Sequence, residues 1–104
     1  MRDSEFINLA DQMLDKIEQK LEQSGIDLDC ATWNDGVLEI ELDNGDKIVI
    51  NRHIVSHEIW VATRLGGFHF RQDGEDWRDT RDGRELMAAL SDLMTTLTGT
   101  HINL

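Results

Sequence analysis

The sequence predicts an α+β fold, a two-layer α/β sandwich with two helices packed on one face of an antiparallel sheet. Apolar residues have helical spacing over residues 4–23 and again over 84–98. Between them, from residue 27 to about residue 80, the apolar period is two. The turns in this central segment are too short for parallel crossovers, so its strands are expected to be antiparallel. A chain of 104 residues has room for one domain.

The first helix is predicted from seven apolar residues at the i, i+3, i+4 spacing that forms one side of a helix. These residues are Phe6, Leu9, Ala10, Met13, Leu14, Ile17 and Leu21. We expect Asp3 or Ser4 to cap the start of this helix. Ser24 and Gly25 are expected to end it, because glycine readily adopts the left-handed conformation found at helix ends.

Turn dipeptides divide the central segment into strands. Asp-Gly at 35–36 and Asn-Gly at 44–45 are strong hairpin signals. Residues 37–42 between them alternate apolar and acidic side chains, so the apolar set is expected to face the core and the acidic set to face water. Further strands are predicted over 47–51 and 57–63.

The second helix is predicted from a further apolar stripe, and Gly99 is expected to end it. The stripe consists of Leu86, Ala89, Leu90, Leu93, Met94 and Leu97. Two helices that each have one apolar side must bury that side, and the sheet is the available partner. We therefore expect both helices to cover one face of the sheet and to leave the other face open.

Negative charge is concentrated at the start of the chain. The sequence has 21 Asp and Glu against 10 Lys and Arg, and a net charge of −11. Residues 1–46 alone contain thirteen acidic and three basic side chains, a net charge of −10. This segregation indicates a cationic partner, and it argues against nucleic acid or an anionic membrane surface as a partner. Because Cys30 is the only cysteine and the chain starts without an apolar leader, we expect a cytoplasmic protein.

Four acidic residues of the first helix lie on one line, roughly 60° wide at 100° per residue. They are Asp11, Asp15, Glu18 and Glu22, and we call them the acidic ridge. No Lys or Arg lies three or four residues from any of them, so each repulsive pair costs roughly 0.2–0.5 kcal/mol. Asp27 and Asp29 follow, and we expect them to prolong the ridge onto the edge of the sheet.

The residues alone leave three interpretations of the acidic ridge open. It is a solvated face that keeps the protein soluble, a docking surface for a basic patch on another protein, or a binding site for a divalent or trivalent cation. Oxygen ligands favour Mg²⁺, Ca²⁺, Mn²⁺ or iron over zinc. Because no closed cage is visible, such binding would be weak, exposed and sensitive to salt.

The sequence contains no legible catalytic arrangement, and we expect no enzymatic activity. The histidines form no ligand motif and are expected at the surface without a special role; they are His53, His57, His69 and His101. Trp60 alternates with two apolar residues, so we expect its indole on the open face of the sheet. There it is either an exposed contact residue or covered by its own neighbours.

Several segments resemble the frataxin family, and together they cover nearly the whole chain. The most specific are Ile-Trp-Val-Ala-Thr-Arg at 59–64 and Gly-Gly-Phe-His-Phe at 66–70. Asp-Ser-Glu-Phe at 3–6, Ile-Asn-Arg at 50–52 and the turn at 79–83 also match.

This resemblance implies a single frataxin-like domain over residues 1–104 and a role in iron–sulfur cluster assembly. It implies weak, exchangeable binding of iron as Fe²⁺ or Fe³⁺, with other divalent cations as substitutes. The implied partners are the cysteine desulfurase and the iron–sulfur scaffold protein, and we expect a monomer. The implied metal ligands are Asp11, Glu18, Glu22, Asp27 and Asp29, with Asp15 as an extension. The implied partner-binding residues are Glu18, Glu22, Asn51, Arg52 and Trp60, of which the last three form an exposed-face signature.

The chain also departs from the family pattern. Gln19 and Gln23 lie where the family is often acidic, and His53 replaces a usual glutamine, so we expect fewer or weaker iron sites. Our main hypothesis is a non-enzymatic, iron-responsive regulator that docks on the desulfurase through the acidic ridge. The alternatives are an iron donor or chaperone with ferroxidase activity, and a plain acidic interaction module that mimics nucleic acid.

Overall fold

The computed structural model describes residues 1–25 and 28–104, with residues 28–34 described by their backbone. Helix α1 spans Asp3–Gln23, and helix α2 spans Leu86–Thr98. Six strands lie between them in the described chain: β1 (Leu28–Asn34), β2 (Val37–Leu42), β3 (Lys47–His53), β4 (Glu58–Thr63), β5 (Gly66–Asp73) and β6 (Asp76–Asp79). The strands form one antiparallel meander in the order β1-β2-β3-β4-β5-β6. The predicted sandwich, with two helices on one face of an antiparallel sheet, is confirmed.

The core lies between the two helices and one face of the sheet. Helix α1 buries six of its seven predicted apolar residues, and Leu9 packs partly buried against them. Alternate residues of the strands meet this layer, as the period of two requires. In β2 these are Leu38, Ile40 and Leu42, each at most 1% exposed. No helix among residues 1–25 and 28–104 combines the length and the apolar character needed to cross a bilayer.

The two ends of α1 differ in how well the sequence predicts them. Its N-cap is Arg2, and no side chain caps this end, so the prediction of a cap by Asp3 or Ser4 is wrong. Asp3 is instead the first helical residue, and its Oδ1 lies 2.7 Å from Nε2 of His57. At the other end Gly25 has a φ of +70°, as expected of a glycine that terminates a helix.

Helix α2 begins two residues later than predicted, because Glu85 caps it. The Glu85 carboxylate accepts a hydrogen bond from the backbone N–H of Ala88 at 3.0 Å. Gly99 ends the helix in the left-handed conformation, as predicted. The residues that follow remain attached to α2, since the backbone N–H of Leu104 donates to Ser91 Oγ at 2.9 Å.

Candidate functional site

The acidic ridge lies along α1 beside the buried side of the helix. Asp15 and Glu22 are exposed, whereas Asp11 and Glu18 are half-buried. Four carboxylates at spacings of 4, 3 and 4 therefore follow the helix on one side, as predicted. The ridge presents its charge along about three turns of α1.

Two further residues were predicted to prolong the ridge onto the first strand. Asp27 lies outside the described residues. Asp29 belongs to β1 by its backbone, and its side chain is not among those described. The extension of the ridge onto the sheet edge therefore stays a prediction.

Arg52 lies on the helix side of the sheet. Its side chain is on the same side of β3 as Ile48 and Ile50, which are fully buried, because side chains alternate along a strand. Its Nη1 donates a hydrogen bond to Oδ1 of Asp11, and its Nη2 lies 3.6 Å from Oδ1 of Asp35. The placement of Arg52 in an exposed-face signature is therefore wrong. Its role in partner binding stays a prediction.

Gly36 makes room for the Arg52 side chain. Asp35 and Gly36 form the turn between β1 and β2, with φ angles of +49° and +79°, which favours glycine at the second position. A Cβ atom on Gly36 would lie only 2.5 Å from Nε of Arg52. Glycine at position 36 therefore allows the hairpin turn and also leaves room for the Arg52 side chain. Arg52 in turn forms the ion pair with Asp11 that joins the acidic ridge to β3.

The carboxylates of the acidic ridge are potential ligands for a cation. They supply oxygen ligands, which suit hard cations. In the part of the chain that the structure describes, no three His, Cys, Asp or Glu side chains are close enough to hold a metal ion together. Arg52 already neutralises Asp11.

A second candidate surface lies on the open face of the sheet, where Trp60 is enclosed between two imidazole rings. The ring of His53 is 3.9 Å from the indole by centroid and inclined by 9°, and that of His69 is 4.4 Å away and inclined by 10°. We call these three residues the ring stack. Trp60 is half-buried, so of the two alternatives the indole covered by its own neighbours is confirmed.

Glu58 anchors the ring stack from the same face of the sheet, two residues before Trp60 in β4. It is only 7% exposed, and its carboxylate accepts hydrogen bonds from Trp60 Nε1 at 2.9 Å and from Arg71 Nε at 3.1 Å. Burial raises the pKa of Glu58, but hydrogen bonds from Trp60 and Ser56 and the charges of Arg71 and His69 outweigh it. The pKa therefore lies below its ordinary value, and the carboxylate is ionised at neutral pH.

Asn51 lies directly opposite Trp60 in the pairing of β3 with β4. Both side chains therefore lie on the open face, as predicted. Asn51 is half-buried. Asn51 and Trp60 of the predicted exposed-face signature are thus neighbours on the open face, whereas Arg52 lies on the helix side of the sheet.

Three histidines have contacts that were not predicted, and one of them is His69, which stacks on Trp60. His53 stacks on Trp60, and its Nδ1 lies 2.7 Å from Oγ of Ser56. His57 stacks on Phe6 at 5.0 Å and contacts Asp3. These contacts show how the rings pack, and the expectation that the histidines have no special role stays a prediction. The period of two already places His53 on the same side of β3 as Asn51. No pattern in the sequence reveals that the rings of His53 and Trp60 stack.

Two helices cover one face of an antiparallel meander, and the first helix carries the acidic ridge. The protein is therefore a two-layer α/β sandwich with a charged helical surface. The family model described as a frataxin-like domain matches residues 1–100. The chain therefore belongs to the frataxin-like family.

Relatives and solved structures agree with this assignment. The iron-sulfur cluster assembly protein CyaY of Dechloromonas aromatica is 54% identical over 99 residues, covering 95% of this chain and 94% of the relative. CyaY of Cupriavidus necator is 47% identical over 107 residues, covering 100% and 96%. Frataxin from Psychromonas ingrahamii superposes with a TM-score of 0.91 at 39% identity, covering 99% and 97%. Trimeric frataxin from the yeast Saccharomyces cerevisiae, complexed with ferrous iron, shares the fold with a TM-score of 0.69 at 21% identity, covering 96% and 88%.

Proposed function

We propose that this protein is a non-enzymatic, iron-binding regulator of iron–sulfur cluster assembly that docks on the cysteine desulfurase through the acidic ridge. The observation that carries the proposal is the ridge itself, four carboxylates along one side of α1 within a segment of net charge −10. Membership in the frataxin-like family and the names of the CyaY relatives support the pathway. A basic surface on the desulfurase is the complementary partner.

Iron tunes this contact. Fe²⁺ or Fe³⁺ binds weakly to carboxylates of the ridge, chiefly Glu18 and Glu22, because oxygen ligands suit hard cations. Other divalent cations of similar hardness substitute for iron. Bound cations neutralise part of the charge that attracts the desulfurase, so iron loading weakens docking. The Asp11 carboxylate contributes less, since Arg52 already occupies it.

The open face of the sheet supplies a second contact for the assembly partners, which include the iron–sulfur scaffold protein. Trp60 and Asn51 lie side by side there, and a half-buried tryptophan is a common anchor in protein interfaces. The protein acts as a monomer in the bacterial cytoplasm, where the cluster-assembly machinery would be its partner.

Isothermal titration of the desulfurase tests the docking surface. We expect the double reversal E18K/E22K to weaken binding by roughly tenfold or more, because two attractive charges become repulsive. The matched control is D73K/E75K, which makes the same charge change at the exposed end of β5 and on the turn that follows it. The control should bind within about twofold of wild type. Equal binding by E18K/E22K and wild type would show that the ridge is not the docking surface.

Anaerobic titration with Fe²⁺, followed by NMR, tests the iron site and separates the alternatives. We expect broadening and shifts around Asp15, Glu18 and Glu22, with none around Glu75. An iron donor with ferroxidase activity would in addition oxidise Fe²⁺ when air is admitted. A plain acidic module would show no response specific to the ridge.

A further inference from the structure

Both faces of the Trp60 indole are covered by parallel imidazole rings. The inclinations of 9° and 10° and the short centroid distances make His53, Trp60 and His69 one stack of three rings. The residues belong to the adjacent strands β3, β4 and β5, so the stack runs across the open face of the sheet. A molecule that approaches this face meets the edges of the rings, because the face of the indole on either side is occupied.

Hydrogen bonds fix the orientation of the stack. The indole N–H of Trp60 donates to Oε1 of Glu58 at 2.9 Å, and Nδ1 of His69 lies 3.8 Å from the same oxygen. Arg71 holds the other carboxylate oxygen at 3.1 Å. On the far side of the indole, Nδ1 of His53 lies 2.7 Å from Oγ of Ser56. The indole N–H and the Nδ1 atom of each histidine thus face groups of the protein's own.

We propose that His53, Glu58 and His69 are positioning residues that hold the Trp60 indole in one orientation in the free protein. The two imidazole rings cover both faces of the indole, and the Glu58 carboxylate fixes its N–H. Trp60 is therefore preorganised for the partner contact of the proposed function.

This inference rests on the proposed function in one respect, the assignment of Trp60 as a contact for an assembly partner. What is new is that Trp60 is preorganised in the free protein. A tryptophan that is already immobile in the free protein loses little conformational freedom on binding. Releasing Trp60 from the stack should therefore weaken binding by roughly two- to tenfold, the effect of ordering one large side chain at an interface.

The test compares two double variants of the full chain. H53A/H69A removes both covering rings, whereas H53F/H69F keeps two flat rings on the indole and removes the imidazole nitrogens. The first readout is the Nε1–H resonance of Trp60 in NMR spectra, assigned by its loss in W60F. We expect a sharp, exchange-protected signal in wild type and in H53F/H69F, and a broadened, rapidly exchanging signal in H53A/H69A. The single variant H53A provides a milder change in case the double alanine variant unfolds.

The second readout is the affinity for the purified desulfurase–scaffold complex. We expect H53A/H69A to bind roughly two- to tenfold more weakly than wild type and H53F/H69F to recover most of that loss. Wild-type affinity and an unchanged Nε1–H signal in H53A/H69A would overturn the positioning role.

The variant W60A separates this inference from the proposed function. If W60A binds as tightly as wild type, the proposed contact through Trp60 fails, and the Nε1–H signal of the histidine variants still decides whether they position the ring. If W60A weakens binding while H53A/H69A does not, the contact stands and the positioning role is wrong.

Discussion

The acidic ridge on α1 and the ring stack on the open sheet face lie on opposite layers of the sandwich and are built in different ways. The ridge is a row of carboxylates along one helix, and two of its four members are exposed. In the ring stack every ring contacts another ring, and the central one is anchored to a buried carboxylate. A surface of the first kind acts through its summed charge, whereas one of the second kind acts through its geometry.

Asp11 differs from the other three members of the acidic ridge. It belongs to the ridge by spacing, yet its carboxylate is bonded to Arg52, whose side chain is only 14% exposed. Arg52 in turn packs over Gly36. One end of the ridge is therefore part of the structural framework, whereas Glu22 at the other end is exposed.

The largest expected effect on stability comes from Arg52. Replacing it in R52M leaves Asp11 without its partner, so we expect a loss of about 2–3 kcal/mol in the free energy of unfolding. Urea denaturation at neutral pH measures this loss. In the double variant D11N/R52M the loss should be smaller than the sum of the single losses by about 1 kcal/mol. Strict additivity would show that Asp11 belongs with the rest of the ridge.

Gly36 provides the next test, with a matched control in the other hairpin. Gly36 and Gly45 both have positive φ angles, +79° and +90°, so alanine costs about 1 kcal/mol or more at either position. Only at Gly36 does the added Cβ meet Arg52, whereas at Gly45 it has open space within 4 Å. We expect G36A to lose about 2 kcal/mol in the same denaturation experiment and G45A about 1 kcal/mol. Equal losses would mean that Arg52 moves aside without cost.

The smallest stability effect is expected at Glu58, and it depends on pH. The pKa of Glu58 is lowered in the folded protein, so its ionised form stabilises the fold at pH values above the ordinary pKa of a glutamate. This contribution is lost as the pH falls through the folded-state pKa. We expect E58Q to be about 1 kcal/mol less stable than wild type at pH 7. The difference should shrink as the pH falls below about 4. The control E75Q, on an exposed turn, should be as stable as wild type at pH 7. A constant difference for E58Q would contradict the role of its charge.

Much of this fold follows from local patterns in the sequence. The helical period over 4–23 and the turn dipeptides at 35–36 and 44–45 each reflect a physical requirement that one short segment satisfies alone. The acidic ridge is predictable for the same reason, since its members lie on one helix. The side of β3 on which the Arg52 side chain lies was also predictable, because Ile48 and Ile50 precede it at even spacing.

The ring stack was not predictable in this way. It joins His53, Trp60 and His69 from three strands, and their meeting depends on how the strands pair and on the rotamers of each ring. The burial of the Glu58 carboxylate was likewise not predictable, because an acidic residue next to apolar strand residues is usually exposed. Helix capping by Glu85 rather than by a residue further upstream has the same origin, since helix ends depend on contacts beyond the local period.

The measurement that most directly tests the account is the salt dependence of desulfurase binding by wild type, E18K/E22K and W60A. If the ridge acts through charge and Trp60 through geometry, raising the salt from about 50 to about 200 mM should weaken wild-type binding by roughly fivefold. W60A should bind more weakly at both concentrations and keep the same salt dependence, whereas E18K/E22K should lose most of it. An unchanged salt dependence in E18K/E22K, or its loss in W60A, would contradict this division between the two surfaces.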